Sequence, residues 1–357
     1  MTRHVFLALS VCAALATPVL ATTNSPATEL TEKELYAQAE ALRLGDDTGA
    51  AFEMMTALAE SGYGRAQAKL GYYYLKGIGT VPSSADAATW YQAAIAGGRD
   101  GARTSYAKLL MADGQTQAAL EQLNAGAAAG IEKARSLRAV LHYEGRFGAA
   151  SDRDVARSEL AALAAEHDVP AMLTMLRGSL SGDAFEMTGS NLEAALISVA
   201  RGNSDKRAGK AAEGLLKLWQ EYPAEENQAL RAEMLAHPSL RAKVWADQSL
   251  RLAYDIESDD QFRQSAVHIV GQVPEDQRGR AFYLVSRLDK NAFVHVLQER
   301  LRDRGYYRGR TNGYLTQRTI QALARFCQDA GIQDTCRLGP LRSNVIKVVA
   351  AELVSAQ

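Results

Sequence analysis

The sequence predicts an all-α fold built from repeated helical hairpins, an α-solenoid followed by a small three-helix module, and three observations carry that prediction. Alanine is abundant while aromatic residues make up 7% and prolines number 8. Alanine loses no side-chain entropy in a helix, so the mixture favours closely packed helices over sheet. Small residues also recur as a fixed pair: Gly62 with Ala66, Gly98 with Ala102, Gly130 with Ala134, and His167 with Ala171, where histidine replaces the glycine. The intervals are 36, 32 and 37 residues, in the range of stacked helical units. Third, amphipathic segments at helical spacing continue to the C-terminus. Lys and Arg total 40 against 41 Asp and Glu, a net charge of -1, so nothing calls for nucleic acid or an anionic membrane surface as partner.

The N-terminus reads as a signal peptide over residues 1–21. Arg3 and His4 form a short basic stretch, Val5 to Ala16 an apolar run, Pro18 a helix breaker, and Val19-Leu20-Ala21 a small-residue cleavage site before Thr22. A permanent anchor is the alternative, but the run falls short of the roughly 20 residues that span a bilayer. Lipidation at Cys12 is a third reading; Val11 is bulky there and the apolar run would be cut in half. No later stretch is apolar enough to span a membrane. The expected location is therefore the periplasm. Residues 22–31 form a polar, flexible leader. Thr31 ahead of Glu32 and Glu34 then marks a helix start, with Leu35, Ala39 and Leu42 on its apolar face.

Residues 32–175 hold the repeat. A small residue at the Ala66 position lets two helices approach closely, Gly77 and Gly79 end a helix in a left-handed conformation, and Trp90 with Tyr91 fills the gap between units. The unit from Ala66 to Gly98 reads Ala66, Leu70-Gly71, Tyr74, Gly77-x-Gly79, Ala87, Trp90-Tyr91, Ala94 and Gly98. It resembles the Sel1-like repeat, a relative of the tetratricopeptide repeat. The next unit keeps Ala102, Tyr106-Ala107, Leu110 and Gly114; the third keeps Ala134, Leu137, Tyr143 and Gly145 but lacks the Trp-Tyr pair. The resemblance implies a solenoid that scaffolds protein assembly. Tyr72, Tyr73 and Tyr74 cannot all face one side of a helix, so one of Tyr72 or Tyr73 is expected at the surface as a partner contact, while Tyr74 and Trp90 are expected in the packing between repeats.

From 176 to 290 the repeat is not legible. Gly178 to Ser190 is a flexible connection by composition. Helical segments follow at Leu192–Val199, Gly209–Trp219, Ala224–Ala236, Leu240–Tyr254, Phe262–Val270 and Glu275–Leu288, with Pro223, Pro238 and Pro274 at their starts. The region reads as divergent helical repeats, with a separate compact bundle as the alternative. Asp255, Glu257 and Asp259 alternate like the opening of a calcium loop, but Asp260 stands where its glycine belongs and Ala266 where its glutamate belongs. The cluster reads as a solvated turn.

Residues 291–357 carry the sharpest local pattern. Val294, Leu297 and Leu301 mark a helix that Gly305 ends; Tyr306 to Tyr314 is turn-rich; Thr316 or Thr319 opens a second helix with Ile320, Leu323 and Phe326 on its apolar face. The matching residues Leu297-Gln298, Leu301, Gly305-Tyr306-Tyr307, Gly309, Asn312-Gly313, Thr319, Ala322 and Phe326 resemble the peptidoglycan-binding-like domain, a small module of cell-wall hydrolases and envelope proteins. Two departures are Thr316, where the family usually has glycine, and Cys327, where it usually has glutamine. Leu341 to Leu353 adds a closing helix through Val345, Val348, Val349 and Leu353. Glycan rings stack on aromatic faces and stem-peptide carboxylates suit the arginine fork, so Tyr306, Tyr307 and Tyr314 with Arg308, Arg310 and Arg318 are the candidate ligand residues. The opposing reading puts the Tyr306-Tyr307 pair in the core and the arginines on a solvated face. Cys327 and Cys336, nine residues apart, are a disulfide pair in an oxidising compartment or two buried thiols.

No nucleophile elbow, HExxH, P-loop or dinucleotide-binding glycine pattern is present. The six histidines do not cluster at metal-ligand spacing, and no cofactor is implied. The expectation is a binder rather than an enzyme, with envelope proteins as partners through the repeats and peptidoglycan or a secreted polysaccharide as further partner. A second expectation, from the Sel1-like resemblance, is a scaffold subunit of an exopolysaccharide (alginate-like) synthesis and export complex. An accessory or enzyme of cell-wall hydrolysis is a third.

Overall fold

A computed structural model describes residues 30–45, 47–202 and 205–354. The expected signal peptide, Cys12 and most of the leader lie outside the described residues. Among the described residues every regular element is a helix, so the fold is all-α. The chain divides into two compact units, one ending at Ala102 and one beginning at Arg103.

The first unit holds α1 (Glu32–Leu44), α2 (Thr48–Glu60), α3 (Gly64–Lys76) and α4 (Ser84–Ala96), each packed against the next. Thr31 opens α1 as expected. Its Oγ1 accepts the Glu34 amide at 3.3 Å, and the Glu34 carboxylate accepts the Thr31 amide at 2.8 Å, so two N-terminal donors are satisfied reciprocally. Ala39, Met55, Leu58, Ala66, Leu70 and Tyr73 form the core. The Leu70-Gly71 pair has a steric reason: a Cβ on Gly71 would lie 2.9 Å from the Tyr91 ring. Trp90 packs partly buried against the same core, and Tyr74 meets Phe52 edge-on at 5.4 Å. Both serve packing, as the repeat pattern implies. Gly77 and Gly79 are left-handed; Gly77 is the C-cap that ends α3, and Gly79 lies in the link after it.

The second unit begins within the first turn of α5 (Ala102–Ala112). It continues with α6 (Thr116–Ala128), α7 (Glu132–Tyr143), α8 (Arg153–Ala165), α9 (Val169–Leu180), α10 (Gly189–Arg201) and α11 (Lys206–Glu221). Ala66, Ala102, Ala134 and Ala171 are each at most 3% exposed, so the periodic alanine is a buried contact in every repeat. The hairpin pattern also runs past residue 175, where the sequence pattern fades. The helix of Ala171 pairs with α10, and the region expected to be a flexible connection from Gly178 is shorter than composition suggests. Gly178 is buried inside α9 because a side chain there would strike the Tyr143 hydroxyl, 2.2 Å from an added Cβ. The remaining link is anchored through Asp183, which accepts hydrogen bonds from Tyr143 and Arg157 and pairs with Arg153 at 2.6 Å.

Next come α12 (Gln228–Leu235), α13 (Ala242–Ile256), α14 (Asp259–Gln272), α15 (Glu275–Leu288), α16 (Lys290–Asp303), α17 (Gln317–Asp329), the short α18 (Gln333–Cys336) and α19 (Ser343–Val354). Of the prolines expected at helix starts, Pro274 is the N-cap of α15, whereas Pro223 and Pro238 sit in links. After Pro238 the Ser239 amide donates to His237 Nδ1 at 3.1 Å, forming a turn that delays α13. One core joins α13 to α19, including Leu250, Phe262, Phe282, Phe293, Leu297, Phe326, Val345 and Leu353. It passes through residue 290 without interruption: Phe282 stacks on Phe293 with centroids 4.8 Å apart, and α19 packs on α15.

Candidate functional site

The turn between α16 and α17 is assembled around one side chain. Gln298 is fully buried. Its Oε1 accepts the backbone amides of Asn312 and Gly313, each at 3.0 Å. Its Nε2 donates to the Tyr314 carbonyl and to Thr319 Oγ1, each at 3.0 Å, and faces the Tyr307 hydroxyl at 3.4 Å. The amide therefore joins α16, the turn and the first helical residues of α17. Thr316, one of the two departures from the family pattern, caps α17 by accepting the Thr319 amide at 3.3 Å. Gln298 was legible only as a motif match. The signal that marks its role is its register: it lies four residues after Val294 and three before Leu301, on the buried face of α16, where a polar side chain needs partners.

The six candidate ligand residues separate. Tyr307 is 3% exposed, its hydroxyl donates to the Arg310 carbonyl at 2.9 Å, and its ring occupies the space beside Gly309. It is a core residue and cannot reach a ligand, which corrects its place in the expected set. Tyr306 is half-buried, edge-on to Phe326 at 5.6 Å, with its hydroxyl donating to Asp329 at 2.9 Å; the Asp329 carboxylate holds its pKa above the usual phenol value. Tyr314 is 59% exposed. Arg308, Arg310 and Arg318 are exposed and form no ion pair among the described residues. The turn and the first residues of α17 therefore present one aromatic face and three cationic forks, and these can stack on a ring and chelate carboxylates.

Cys327 and Cys336 are joined by a disulfide. The bond ties the end of α17 to α18, in the stretch that leads to α19. Among the described residues no group of histidine, cysteine or acidic side chains is arranged to hold a metal, and no helix is long and apolar enough to cross a membrane. Two of the three acidic residues at 255–259 have partners within the protein: Asp255 pairs with Arg231 at 3.1 Å and Glu257 accepts from Ser265 at 2.9 Å, while Asp259 is exposed.

In the first unit, Tyr72 is 40% exposed with Lys69 over its ring at 5.4 Å. Tyr73 is fully buried, and its hydroxyl donates to Glu40 at 2.8 Å. Burial, with that carboxylate beside it, raises the Tyr73 pKa above the ordinary phenol value. Tyr73 is therefore removed from the expected partner surface, and Tyr72 is the tyrosine of the pair that faces solvent.

Residues 290–341 match the family described as "Putative peptidoglycan binding domain". No curated protein matches the chain. Among solved structures, one similar chain is a protective antigen present in uropathogenic Escherichia coli strains, described as displaying an SLR fold. It shares 16% identity at a TM-score of 0.42, over 90% of this chain and 76% of that one; a score this low adds no weight to the architecture.

Proposed function

We propose that this chain is an exported, non-catalytic scaffold of the cell envelope. Its helical hairpins hold protein partners, and its C-terminal segment attaches it to peptidoglycan. The match of residues 290–341 to a peptidoglycan-binding family carries this reading. The turn held by Gln298 supports it, because it projects Tyr314, Arg308 and Arg310 from a rigid base, which spares the ordering cost of binding. Tyr72 is the candidate contact for a protein partner. The N-terminal signal pattern supports a periplasmic location, and the matched module is one that a periplasmic protein can use.

The test is retention of the purified mature chain on isolated sacculi. The wild type should co-sediment, and the triple variant Arg308→Ala, Arg310→Ala, Tyr314→Ala should remain in the supernatant. A wild type that stays soluble, or a triple variant retained equally well, overturns the assignment. Incubation with sacculi should release no soluble muropeptides; release would overturn the non-catalytic reading. N-terminal sequencing of protein from the periplasmic fraction should begin at Thr22, and an intact N-terminus in the cytoplasm would refute export.

A further inference from the structure

The stretch between Asp303 and Asp329 is one-sided in charge. It holds five arginines, at 304, 308, 310, 318 and 325, with no lysine, aspartate or glutamate. The matched residues 290–341 carry nine Lys and Arg against four Asp and Glu, although the whole chain is near balance at 40 against 41. The flanking acids are engaged elsewhere: Asp303 pairs with Arg300 at 3.5 Å, and Asp329 accepts the Tyr306 hydroxyl at 2.9 Å. Two of the five arginines are also held, Arg304 over the Phe326 ring and Arg325 on the Tyr306 carbonyl at 2.8 Å. Arg308, Arg310 and Arg318 are exposed, and their guanidinium groups have no partner among the described residues.

Those three cations meet at one place. Arg308 and Arg310 flank Gly309 in the turn, and Arg318 belongs to the first turn of α17. A Cβ on Gly309 would lie 2.5 Å from the Tyr307 hydroxyl and 3.1 Å from Arg318 Cδ. The Arg318 stem therefore lies against the turn, over the one residue whose missing side chain leaves it room. Gln298 fixes both sides of this arrangement, since it holds the turn at Asn312 and Gly313 and α17 at Thr319, next to Arg318. Like charges gathered without a counter-charge repel one another. An anion docking there is attracted by all three and meets a turn that is already ordered.

In peptidoglycan the glycan strand bearing stem peptides is neutral, and the stem peptides carry the carboxylates. An uncompensated arginine cluster therefore suits the peptide and not the sugar. A carboxylate only accepts hydrogen bonds and a guanidinium only donates them, in a fork that matches two carboxylate oxygens. Amidation replaces one oxygen with an NH2 group. It removes the charge and sets donor against donor, which rejects the ligand. We propose that Arg308, Arg310 and Arg318 form a carboxylate clamp that reads stem peptides, with Arg318 a specificity-determining residue, and that attachment requires stem peptides whose carboxylates are free. The inference deepens the peptidoglycan reading and rests on it.

The experiment titrates the full mature chain by calorimetry with a soluble stem tetrapeptide bearing free carboxylates, with the same peptide amidated, and with chitotetraose as a neutral glycan. Co-sedimentation uses sacculi before and after carbodiimide–ammonia amidation. The free peptide should bind, the amidated peptide and chitotetraose should not, and amidated sacculi should leave the protein in the supernatant. Arg318→Gln should weaken peptide binding about tenfold, as loss of a charge-assisted hydrogen-bond pair does, with an unchanged thermal midpoint. Arg287→Gln, which removes the same charge from an exposed site on α15, should leave binding unaltered. Peptide binding that Arg318→Gln leaves intact overturns the clamp, and so does equal weakening by the two substitutions, because attraction is then diffuse. Wild type that binds native and amidated sacculi alike, or sacculi but no peptide, also overturns it and leaves peptidoglycan attachment standing. Inorganic phosphate that displaces the peptide at equal affinity overturns the selectivity for carboxylate. Peptide binding without sacculus retention sustains the clamp and removes the attachment. If neither peptide nor sacculi bind, both readings fall.

Discussion

The substitution His167→Gly should make the protein more stable. At 2.9 Å the His167 amide donates to the Ala164 carbonyl, and the Asp168 amide donates to Leu163 at 2.9 Å. The same 6→1 closure recurs after α2, α4 and α6: Tyr63 to Leu58, Arg99 to Ala94 and Ile131 to Gly126. At those three helix ends the left-handed residue is glycine, with φ of 93°, 81° and 75°, whereas His167 holds φ 57° with a side chain attached. It is the one non-glycine residue with positive φ among the described residues. A left-handed L-residue costs roughly 1–2 kcal/mol. Glycine would relieve that strain but adds unfolded-chain entropy of about 0.4–1 kcal/mol, so the expected net gain is about 0.5–1 kcal/mol.

Its side chain is exposed, and the hydrogen bond that Arg207 donates to its carbonyl at 2.6 Å survives the change because it uses backbone. Gly130→Ala is the mirror experiment. A Cβ there meets nothing within 4 Å, so its cost isolates backbone strain and should be about 1 kcal/mol. Both sites lie in the second unit, and well-separated changes of this kind add, so the double variant should return close to wild type. Urea denaturation followed by far-ultraviolet circular dichroism measures all three. A lower midpoint for His167→Gly would refute the reasoning and would mean the imidazole makes a compensating contact.

Gln298→Leu should lower stability by about 3 kcal/mol, because several buried turn partners lose their hydrogen bonds at roughly 1 kcal/mol each; sacculus retention should fall with it, and a stable variant that still binds would refute the anchoring role. Reducing the Cys327–Cys336 bridge should cost about 2–3 kcal/mol by loop-closure entropy, read as a lower urea midpoint in dithiothreitol; no shift would show that the reduced chain is equally constrained. Burial opposes ionisation of Glu213, but hydrogen bonds from the Arg241 side chain and amide outweigh it, so its folded pKa is lowered below the ordinary glutamate value. The stability this supplies is present above the ordinary glutamate pKa and is lost as pH falls through the depressed one. Glu213→Gln should therefore flatten the acid limb of the stability curve, and an unchanged limb would refute the coupling.

What the sequence revealed follows from where each constraint acts. The glycine–alanine period was readable because it serves backbone geometry within one helix end, and Glu275–Leu288 is helical over the residues its amphipathic pattern marked. The link after Gly178 was overestimated because a glycine chosen for close approach to Tyr143 looks, in composition, like one chosen for flexibility. Adjacent tyrosines defeated any assignment by residue type. Tyr72 and Tyr73 differ by one step around a helix, and Tyr306 and Tyr307 by one step along a turn, yet in each pair the buried ring belongs to the core.

The continuous core also decides how the C-terminal segment can be tested. The family match suggests a module that can be cut away, and a deletion of 291–357 is the obvious variant. Phe282 and Val285 are fully buried on α15 in the core shared with α16 and α19. Removing those two helices would expose both side chains, at about 1.5–3 kcal/mol each, and would also uncover Phe262 and Val270 on α14. A truncated chain that failed to bind sacculi would then report the collapse of α13–α15 as readily as the loss of a ligand site. Substitutions at exposed Arg308, Arg310 and Tyr314 leave that core in place. Loss of sacculus retention in a variant whose unfolding midpoint matches the wild type assigns the interaction to the turn itself. Retention in that variant moves it to another surface of the intact chain.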